Sequence, residues 1–171
     1  DGNVFRPWLQ TIIALDDEAK IRADSEGIHV NLVDPANVGM IETTLYADAL
    51  DGYTLEANAE YYTGMDASAV ASAASMARKG ATTSDPLTLS FNGEESVLIE
   101  TEREYASTAV ERGERIELMD PTLLREEPNL PDLEPTITGE IDSLPFRDVT
   151  DSISSHAQLS PEGDDLVICE D

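Results

Sequence analysis

The chain has 171 residues, of which 36 are acidic and 10 are basic, so its formal net charge is −26. Its length corresponds to one domain or slightly more. Because no run of about 18 apolar residues occurs, a membrane-spanning helix is excluded, and the single cysteine, Cys169, excludes an internal disulfide framework.

The acidic residues are spread along the chain rather than gathered in a tail. Phosphate attracts basic surfaces, so this net charge taken alone argues against nucleic-acid binding. A dispersed acidic coat in which Arg outnumbers Lys, by 8 to 2, is typical of proteins that stay soluble in very high salt, where charge repulsion is screened. We interpret the charge as halophilic adaptation; an acidic protein of ordinary salinity is the alternative.

The first half of the chain predicts a helix, four strands and a second helix. Residues 3–15 carry apolar side chains at helical spacing, and residues 66–79 begin with an aspartate suited to the N-cap and end before Gly80. Short segments of alternating polarity between these helices predict strands at 19–23, 27–33, 40–47 and 54–59.

Four more strands are predicted at 87–91, 96–101, 104–110 and 115–119. Residues 118–135, LMDPTLLREEPNLPDLEP, follow and hold four of the nine prolines. Proline lacks a backbone donor, so neither a helix nor a central strand can continue through this stretch. Its leucines make it too apolar for a flexible tether, and we interpret it as an extended strap on a surface: Leu123, Leu124, Leu130 and Leu133.

After the strap, a strand is predicted at 136–141, a helix at 144–156 and a strand at 166–169. Residues 1–12 align with residues 142–153 at a constant offset of 141, and the identities fall at Asp1, Phe5, Arg6 and Ile12. The shared order of elements indicates a duplicated domain. We expect a first domain at 1–117 without its first strand, a connector at 118–135 and a truncated second domain at 136–171, as in a fragment or shortened relative of a two-domain protein.

The residues capable of chemistry form no recognisable catalytic or metal site. His29 and His156 have no His or Cys at ligand spacing, Cys169 has no evident base, and no Gly-rich phosphate loop occurs. Residues 34–37 lack the acid spacing of a calcium loop and predict a tight turn. We therefore predict no catalytic residue, no metal and no cofactor. An unrelated acidic enzyme, with two carboxylates of separated pKa in a cleft, is an alternative.

Two segments resemble a known family: DDEAKIRADSEGIHVNLVDPANVGM at 16–40 and LMDPTLLREEPNLPDLE at 118–134. They are similar to sliding clamps of the proliferating cell nuclear antigen (PCNA) type, in particular to archaeal, halophile-like versions. The resemblance covers the first domain nearly whole, the connector and the opening of the second domain. It implies an α+β DNA-clamp fold with antiparallel sheets on the outer face and helices on the inner face.

The resemblance also implies a function, that of a DNA polymerase processivity factor without catalytic activity. Clamps of this family form rings of three chains around duplex DNA. They tether DNA polymerase, clamp loader, flap endonuclease and DNA ligase through short hydrophobic motifs that insert under the connector. A cytoplasmic, nucleoid-associated location and no membrane partner are implied. The alternative is a stand-alone peptide-binding adaptor that does not close a ring, because the late second-domain strand that pairs across the ring interface is absent from this sequence.

By position, the resemblance implies three sets of site residues. The pocket for partner peptides comprises Val33, Val38, Met40, Pro128, Leu130, Pro131 and Leu133. The DNA-facing set comprises Arg6, Lys20, Arg78, Lys79 and Arg147. The subunit interface comprises Val110, Arg115, Ile116 and Leu118. For the pocket, the simpler alternative is that these residues only pack the connector onto its own domain; for Arg78 and Lys79 it is compensation of the helix dipole.

Overall fold

The structure, a computed structural model, describes residues 2–56, 59–78, 85–126, 140–154, 156–163 and 165–170. The chain forms two compact units, Asp1–Leu130 and Pro131–Asp171. The boundary between the two units therefore falls inside the strap. Among the described residues, no helix has the length and apolar character that crossing a membrane requires.

The first unit is built from two helices and seven strands within the described residues. The helices are α1 (Gly2–Ile13) and α2 (Ala67–Ala74). The strands are β1 (Glu18–Ala23), β2 (Gly27–Val33), β3 (Met40–Tyr46), β4 (Tyr61–Asp66), β5 (Leu87–Asn92), β6 (Ser96–Tyr105) and β7 (Thr108–Glu117). Short 3₁₀ helices occupy Ala47–Ala49 and Pro121–Leu123.

The strands of the first unit form two antiparallel sheets, with strand orders β3-β2-β1-β4 and β5-β6-β7. Met119, just after β7, exchanges two backbone hydrogen bonds of 2.9 Å with Gly64 in β4, which joins the two sheets. A Cβ atom at Gly64 would lie 2.7 Å from Leu124 Cδ1 and 2.9 Å from the Met119 carbonyl oxygen. This close approach therefore requires glycine.

The core lies between the helices and one face of the strands. In β1, Ala19, Ile21 and Ala23 are buried while Glu18 and Arg22 are exposed, as strand alternation requires. We call the sheet face opposite the helices the outer face. The helices contribute a shared set of core side chains: Phe5, Trp8, Leu9, Ile12, Val70, Ala73 and Ala74.

Three predicted boundaries in the first unit are wrong. Helix α2 ends at Ala74 instead of reaching residue 79. No strand is present at 54–56, and the strand expected there is β4, which begins at Tyr61. The three strands predicted between 96 and 119 are the two long strands of one hairpin, β6 and β7. The β6–β7 pairing continues through exposed polar residues because backbone hydrogen bonds hold the two strands together. Backbone hydrogen bonds leave no trace in the pattern of side-chain polarity.

The second unit contains α3 (Ser143–Thr150) and an antiparallel hairpin of β8 (Ala157–Glu162) and β9 (Asp165–Glu170). Helix α3 ends before the predicted residue 156, and β8 was not predicted. The order of a helix and then two paired strands matches that of α1, β1 and β2. Most of the strand predicted at 136–141 lies outside the described residues, and residues 140 and 141 are irregular.

Candidate functional site

A cavity of about 210 Å³ lies on the outer face of the first unit, where the start of the strap passes over β1 and β2. We call it the strap cavity. It combines acidic, basic, polar and apolar side chains from the two strands, from the turn before β1 and from the strap: Asp16, Glu18, Lys20, Asn31, Leu32, Val33, Leu123, Leu124, Arg125 and Glu126.

The loop between β2 and β3 is organised by Asp34. Its carboxylate accepts hydrogen bonds from the backbone N–H groups of Ala36, Val38 and Gly39, at 3.2, 2.8 and 2.8 Å. These bonds, that from Gly39 foremost, hold the pKa of Asp34 below its ordinary value, so the carboxylate is ionised at neutral pH. The Asn37 N–H donates to the Asp34 carbonyl at 3.0 Å, which confirms the tight turn predicted for residues 34–37.

Arg125 ties the strap to this loop. Its Nη1 donates to the carbonyl oxygens of Asp34 and Pro35, at 3.1 and 3.2 Å, and to Asn37 Oδ1 at 3.3 Å. Asn37 adopts φ 57°, a left-handed conformation that Asn tolerates better than most residues. Sequence reasoning considered the leucines and prolines of the strap and missed Arg125. The signal was that Arg125 is the only basic residue among residues 118–135.

Two adjacent leucines at the start of the strap have different roles. Leu124 is half-buried and its Cδ1 lies over Gly64. Leu123 is 82% exposed although it lines the cavity. Just before them, the Asp120 carboxylate accepts hydrogen bonds from the N–H and Oγ1 of Thr122, at 2.8 and 2.7 Å, which fixes the 3₁₀ turn. Leu124 thus anchors the strap, and Leu123 is accessible to a bound partner.

Asn31 places an unsatisfied acceptor beside the strap cavity. It belongs to β2 and lines the cavity, and its buried Oδ1 has no hydrogen-bond partner within the described part of the chain. A buried acceptor without a partner costs free energy, so a ligand that donates an N–H to it would gain that energy. Over the same described residues, no three His, Cys, Asp or Glu side chains are grouped to hold a metal ion.

The structure places the predicted pocket residues in three different situations. Val33 lines the cavity. Met40 does not line it, but pairs with Val33 in the β2–β3 ladder and is 43% exposed, so it lies beside the cavity. Val38, on the Asp34 loop, is 86% exposed and is not part of the cavity wall. The remaining four lie outside the described residues: Pro128, Leu130, Pro131 and Leu133.

The helix-bearing face of the first unit, opposite the outer face, differs in charge from the chain as a whole. Neither α1 nor α2 contains an acidic residue, although the chain as a whole has 36. The exposed residues of the two helices are all uncharged: Asn3, Val4, Pro7, Gln10, Thr11 and Ser72. This face is therefore far less repulsive to a polyanion than the net charge suggests.

Two of the predicted DNA-facing side chains make contacts with other groups of the same chain. The Arg6 guanidinium donates to the carbonyl oxygens of Ala74 and Ala77, so it caps the C-terminal end of α2. Arg78 is 57% exposed and lies 3.6 Å from the carboxylate of Asp85. Because α2 ends at Ala74, Arg78 lies beyond its last turn, and its structural role is this ion pair rather than the compensation of the helix dipole given as the alternative.

The other three predicted DNA-facing residues are placed differently. Lys20 is a correction, because it alternates with buried Ala19 and Ile21 in β1 and therefore lies on the outer face, where it lines the strap cavity. Lys79 lies outside the described residues. Arg147 belongs to α3 in the second unit, where its side chain is 70% exposed and 3.8 Å from Asp151.

Asp85, which sequence reasoning did not single out, fixes the exit from α2. Its buried carboxylate accepts a hydrogen bond of 2.8 Å from Arg103 Nε and another of 2.8 Å from the Arg78 N–H. Its own N–H donates to the Arg78 carbonyl at 3.1 Å. The bond from Arg103, and next that from Arg78, hold the pKa of Asp85 below its ordinary value. Residues 78 and 85 are thereby held together.

The predicted subunit-interface residues lie on or just after β7, the edge strand of the second sheet. Val110 and Arg115 are exposed, and Arg115 Nη1 donates to Ser96 Oγ at 3.0 Å. Ile116 and Leu118 are half-buried and pack against the core of their own unit. Of these four residues, Val110 and Arg115 are therefore the ones whose side chains are exposed to a partner chain.

Comparison with known proteins identifies relatives of this chain. It is 29% identical over 172 residues to a DNA polymerase sliding clamp of Methanococcoides burtonii, covering 96% of this chain and 62% of the relative. It is 30% identical over 166 residues to that of Natronomonas pharaonis, covering 91% and 59%. The chain thus spans less than two thirds of the length of these curated relatives. No family model matches the sequence.

Solved structures share the fold. The Archaeoglobus fulgidus PCNA bound to the C-terminal region of FEN-1 superposes with a TM-score of 0.71 at 22% identity, over 98% of this chain and 68% of that one. A PCNA2–PCNA3 complex from Sulfolobus tokodaii gives a TM-score of 0.69 at 19% identity, over 88% and 56%. The predicted α+β clamp fold with antiparallel sheets is confirmed.

Proposed function

Because this chain is similar over nearly its whole length to archaeal DNA polymerase sliding clamps and shares the fold of PCNA, we propose that it belongs to that family and is a DNA polymerase processivity factor. In this proposal, rings of the protein encircle duplex DNA and tether replication and repair proteins, and the protein acts as a scaffold rather than as an enzyme. The observation that carries the proposal is the strap cavity, over which Leu124 and Arg125 fasten the strap.

The strap cavity and its surroundings are the proposed docking site for partner peptides. Val33, Met40 and Leu123 offer apolar contacts on one face, and Asn31 Oδ1 offers an acceptor for an N–H of the peptide. Since the strap and the loop are already joined by Arg125, little order has to be created on binding. A short hydrophobic helical turn is the ligand that such a groove receives.

The proposed partners are DNA polymerase, clamp loader, flap endonuclease and DNA ligase. The flap-endonuclease segment bound to the related Archaeoglobus fulgidus protein supports this choice. Val38 and the strap residues Pro128, Leu130, Pro131 and Leu133 remain proposed contributors.

The helix-bearing face is the proposed DNA-facing surface. The lack of acidic residues within α1 and α2 supports this assignment, and Arg78, Lys79 and Arg147 are the proposed phosphate contacts. Arg6 would act indirectly, by holding the end of α2. Loose contacts through water suit a ring that slides, because it must not read bases. Ring closure would use the β7 edge.

Calorimetric titration with the flap-endonuclease C-terminal peptide, in multimolar KCl, tests the proposal. We expect one peptide per chain, and loss of binding by tenfold or more in Met40→Glu, because a buried charge at an apolar contact is unfavourable. Tyr46→Glu is the matched control: Tyr46 is on the same strand, faces the same side and is 59% exposed, but lies at the other end of β3. Absence of peptide binding, or equal loss in both variants, would overturn the proposal.

A further inference from the structure

The β6–β7 hairpin extends beyond the core of the first unit. Val97, Ile99 and Thr101 of β6 are buried, whereas residues 102–111, which form the end of the hairpin, include no buried residue. All of them are exposed except Arg103, which is half-buried. We call residues 102–111 the arm. Because the arm buries no apolar side chain, the hydrophobic effect contributes little to its order, which depends on backbone pairing and on charges.

Arg103 ties the arm to the rest of the unit. Its Nε donates to the buried carboxylate of Asp85 at 2.8 Å, and its Nη2 donates to the Met76 carbonyl oxygen at 3.4 Å. Within the described part of the chain, no other side chain of the arm shares a hydrogen bond or an ion pair with a residue outside it. The arm is therefore held at its base, and its tip depends on the pairing of β6 with β7.

The strand register places two glutamates directly opposite each other in the arm. Glu102 of β6 pairs with Glu111 of β7, and both lie on the face turned away from the core, since Thr101 is buried on the other face. Both are exposed, and neither has an ion-pair partner among the described residues. Like charges directly opposite on antiparallel strands are destabilising. These two side chains therefore oppose the pairing that holds the arm.

The surroundings of these two glutamates add to the repulsion. Glu100 and Glu104 lie on the same face of β6, one on each side of Glu102, and the β7 residues paired with them are uncharged. On this face of β7 the basic residue is Arg115, whose Nη1 donates to Ser96 Oγ at 3.0 Å. Arg115 is thus directed to the start of β6, away from the arm.

Salt acts differently on the repulsion and on the attachment. The Debye length is about 30 Å at 0.01 M salt and about 3 Å at 1 M, and directly opposed side chains are about 5 Å apart. The repulsion between exposed glutamates is therefore strong at low ionic strength and largely screened in molar salt. The contact between Arg103 and Asp85 is partly buried, and such contacts are screened much less. Raising the salt thus removes the repulsion and keeps the attachment.

We propose that the arm is a salt-sensitive element of the fold, with strands that are paired in molar KCl and separate at low ionic strength because Glu102 and Glu111 repel each other. The core stays folded in this transition, since the arm contributes no side chain to it. The arm includes the start of β7, Thr108–Glu111, whose edge the proposed ring would use. That low salt disfavours ring closure rests on the proposed function, whereas the separation of the strands does not.

Amide hydrogen exchange of the full chain, resolved by NMR in multimolar KCl and in about 0.1 M KCl, tests the proposal. In the wild type, we expect exchange of the arm amides to rise with falling salt at least about tenfold more than exchange of the β1 and β2 amides. Glu111→Lys makes the opposed pair attractive, and Glu102→Lys does the same from the other strand. Each variant should abolish most of this difference.

Glu117→Lys is the matched control, because it makes the same charge change on the same strand and face, opposite the uncharged Ser96. It should keep the wild-type difference, and circular dichroism in multimolar KCl should show every variant folded. Arm exchange that rises no more than that of β1 and β2 would overturn the proposal, as would equal protection of the arm in Glu111→Lys and Glu117→Lys. Titration with the flap-endonuclease peptide reports on the proposed function separately, because none of these substitutions alters a residue that lines the strap cavity.

Discussion

The helix-bearing face and the outer face of the first unit share one core but differ in charge. Neither α1 nor α2 contains an acidic residue. The outer face places Asp16, Glu18 and Glu126 around the strap cavity, with Lys20 and Arg125 among them. The net charge of −26 therefore does not describe the charge of either surface by itself. The objection that such a chain repels nucleic acid applies to the outer face and much less to the helix-bearing face.

The two faces also differ in the contacts that fix their backbone segments in place. The outer face depends on long-range contacts of the strap, through Gly64 and Arg125. On the helix-bearing side, Arg6 caps the end of α2 and Asp85 fixes the backbone where the chain leaves it. If this division is correct, substitutions on one side should leave the function of the other side intact.

The largest effect is expected from Gly64→Ala, which removes the space that the strap occupies. The new Cβ would lie 2.7 Å from Leu124 Cδ1 and 2.9 Å from the Met119 carbonyl oxygen, and overpacking of this kind costs about 1–3 kcal/mol. Urea unfolding should show this loss, and peptide affinity should fall with it. Gly52→Ala is the control, since a Cβ there meets nothing within 4 Å. Equal stability of the two variants would contradict the anchoring role of Leu124.

The next effect is expected from Asp85→Asn, which leaves the Arg103 guanidinium without its carboxylate. The variant should melt several degrees below the wild type at pH 7, and Asp48→Asn, at an exposed site, should not. The folded pKa of Asp85 is lowered by Arg103 from its ordinary value of 3.8. Its contribution is therefore complete above pH 3.8 and lost as pH falls through the lower folded pKa.

Thermal melts of the wild type and of Asp85→Asn between pH 7 and pH 3 would test this prediction. The difference between wild type and Asp85→Asn should be constant down to about pH 4 and shrink below it. A difference that is already lost near pH 6 would show that another group is responsible.

A smaller effect is expected from Arg125→Ala, which releases the strap from the Asp34 loop. Peptide affinity should fall about threefold to tenfold, because the strap must then be ordered during binding. Arg22→Ala is the control, since Arg22 is exposed on the same outer face but does not line the cavity. Titration calorimetry measures both. Unchanged affinity in Arg125→Ala would show that the strap is held without it.

The smallest effect is expected from adding acidic residues to the helix-bearing face. Gln10→Glu combined with Ser72→Glu should lower the affinity for duplex DNA a few-fold, and the loss should diminish as KCl rises. Thr88→Glu with Ser90→Glu, at exposed positions of β5, is the matched control. Fluorescence anisotropy of a labelled duplex measures both. Equal losses would mean that the helix-bearing face has no special part in DNA binding.

Local patterns were enough to predict β1, β2 and α1. Alternating polarity or helical spacing marks these elements, since one side of each is buried. The same logic fails for β7, which is exposed on both faces and thus has no alternation to read. It also fails at the end of α2, which is capped by Arg6, nearly seventy residues earlier in the chain.

The sequence indicated the strap and one residue of the cavity beneath it, but not the residues that hold the strap in place. Proline content and leucines marked the strap, and the resemblance to sliding clamps pointed to Val33 beneath it. Arg125 and Gly64 act through contacts with residues far away in sequence, which no local pattern records. Lys20 was misassigned to the DNA-facing set although the alternation of β1 already indicated the outer face.

The most direct test of the account is a map of amide chemical shifts for the labelled chain during titration with the flap-endonuclease C-terminal peptide in multimolar KCl. We expect the largest changes on Val33, Met40 and residues 123–125, and unchanged amide shifts in α1 and α2. Changes centred on α1 or α2, or no changes at saturating peptide, would contradict it.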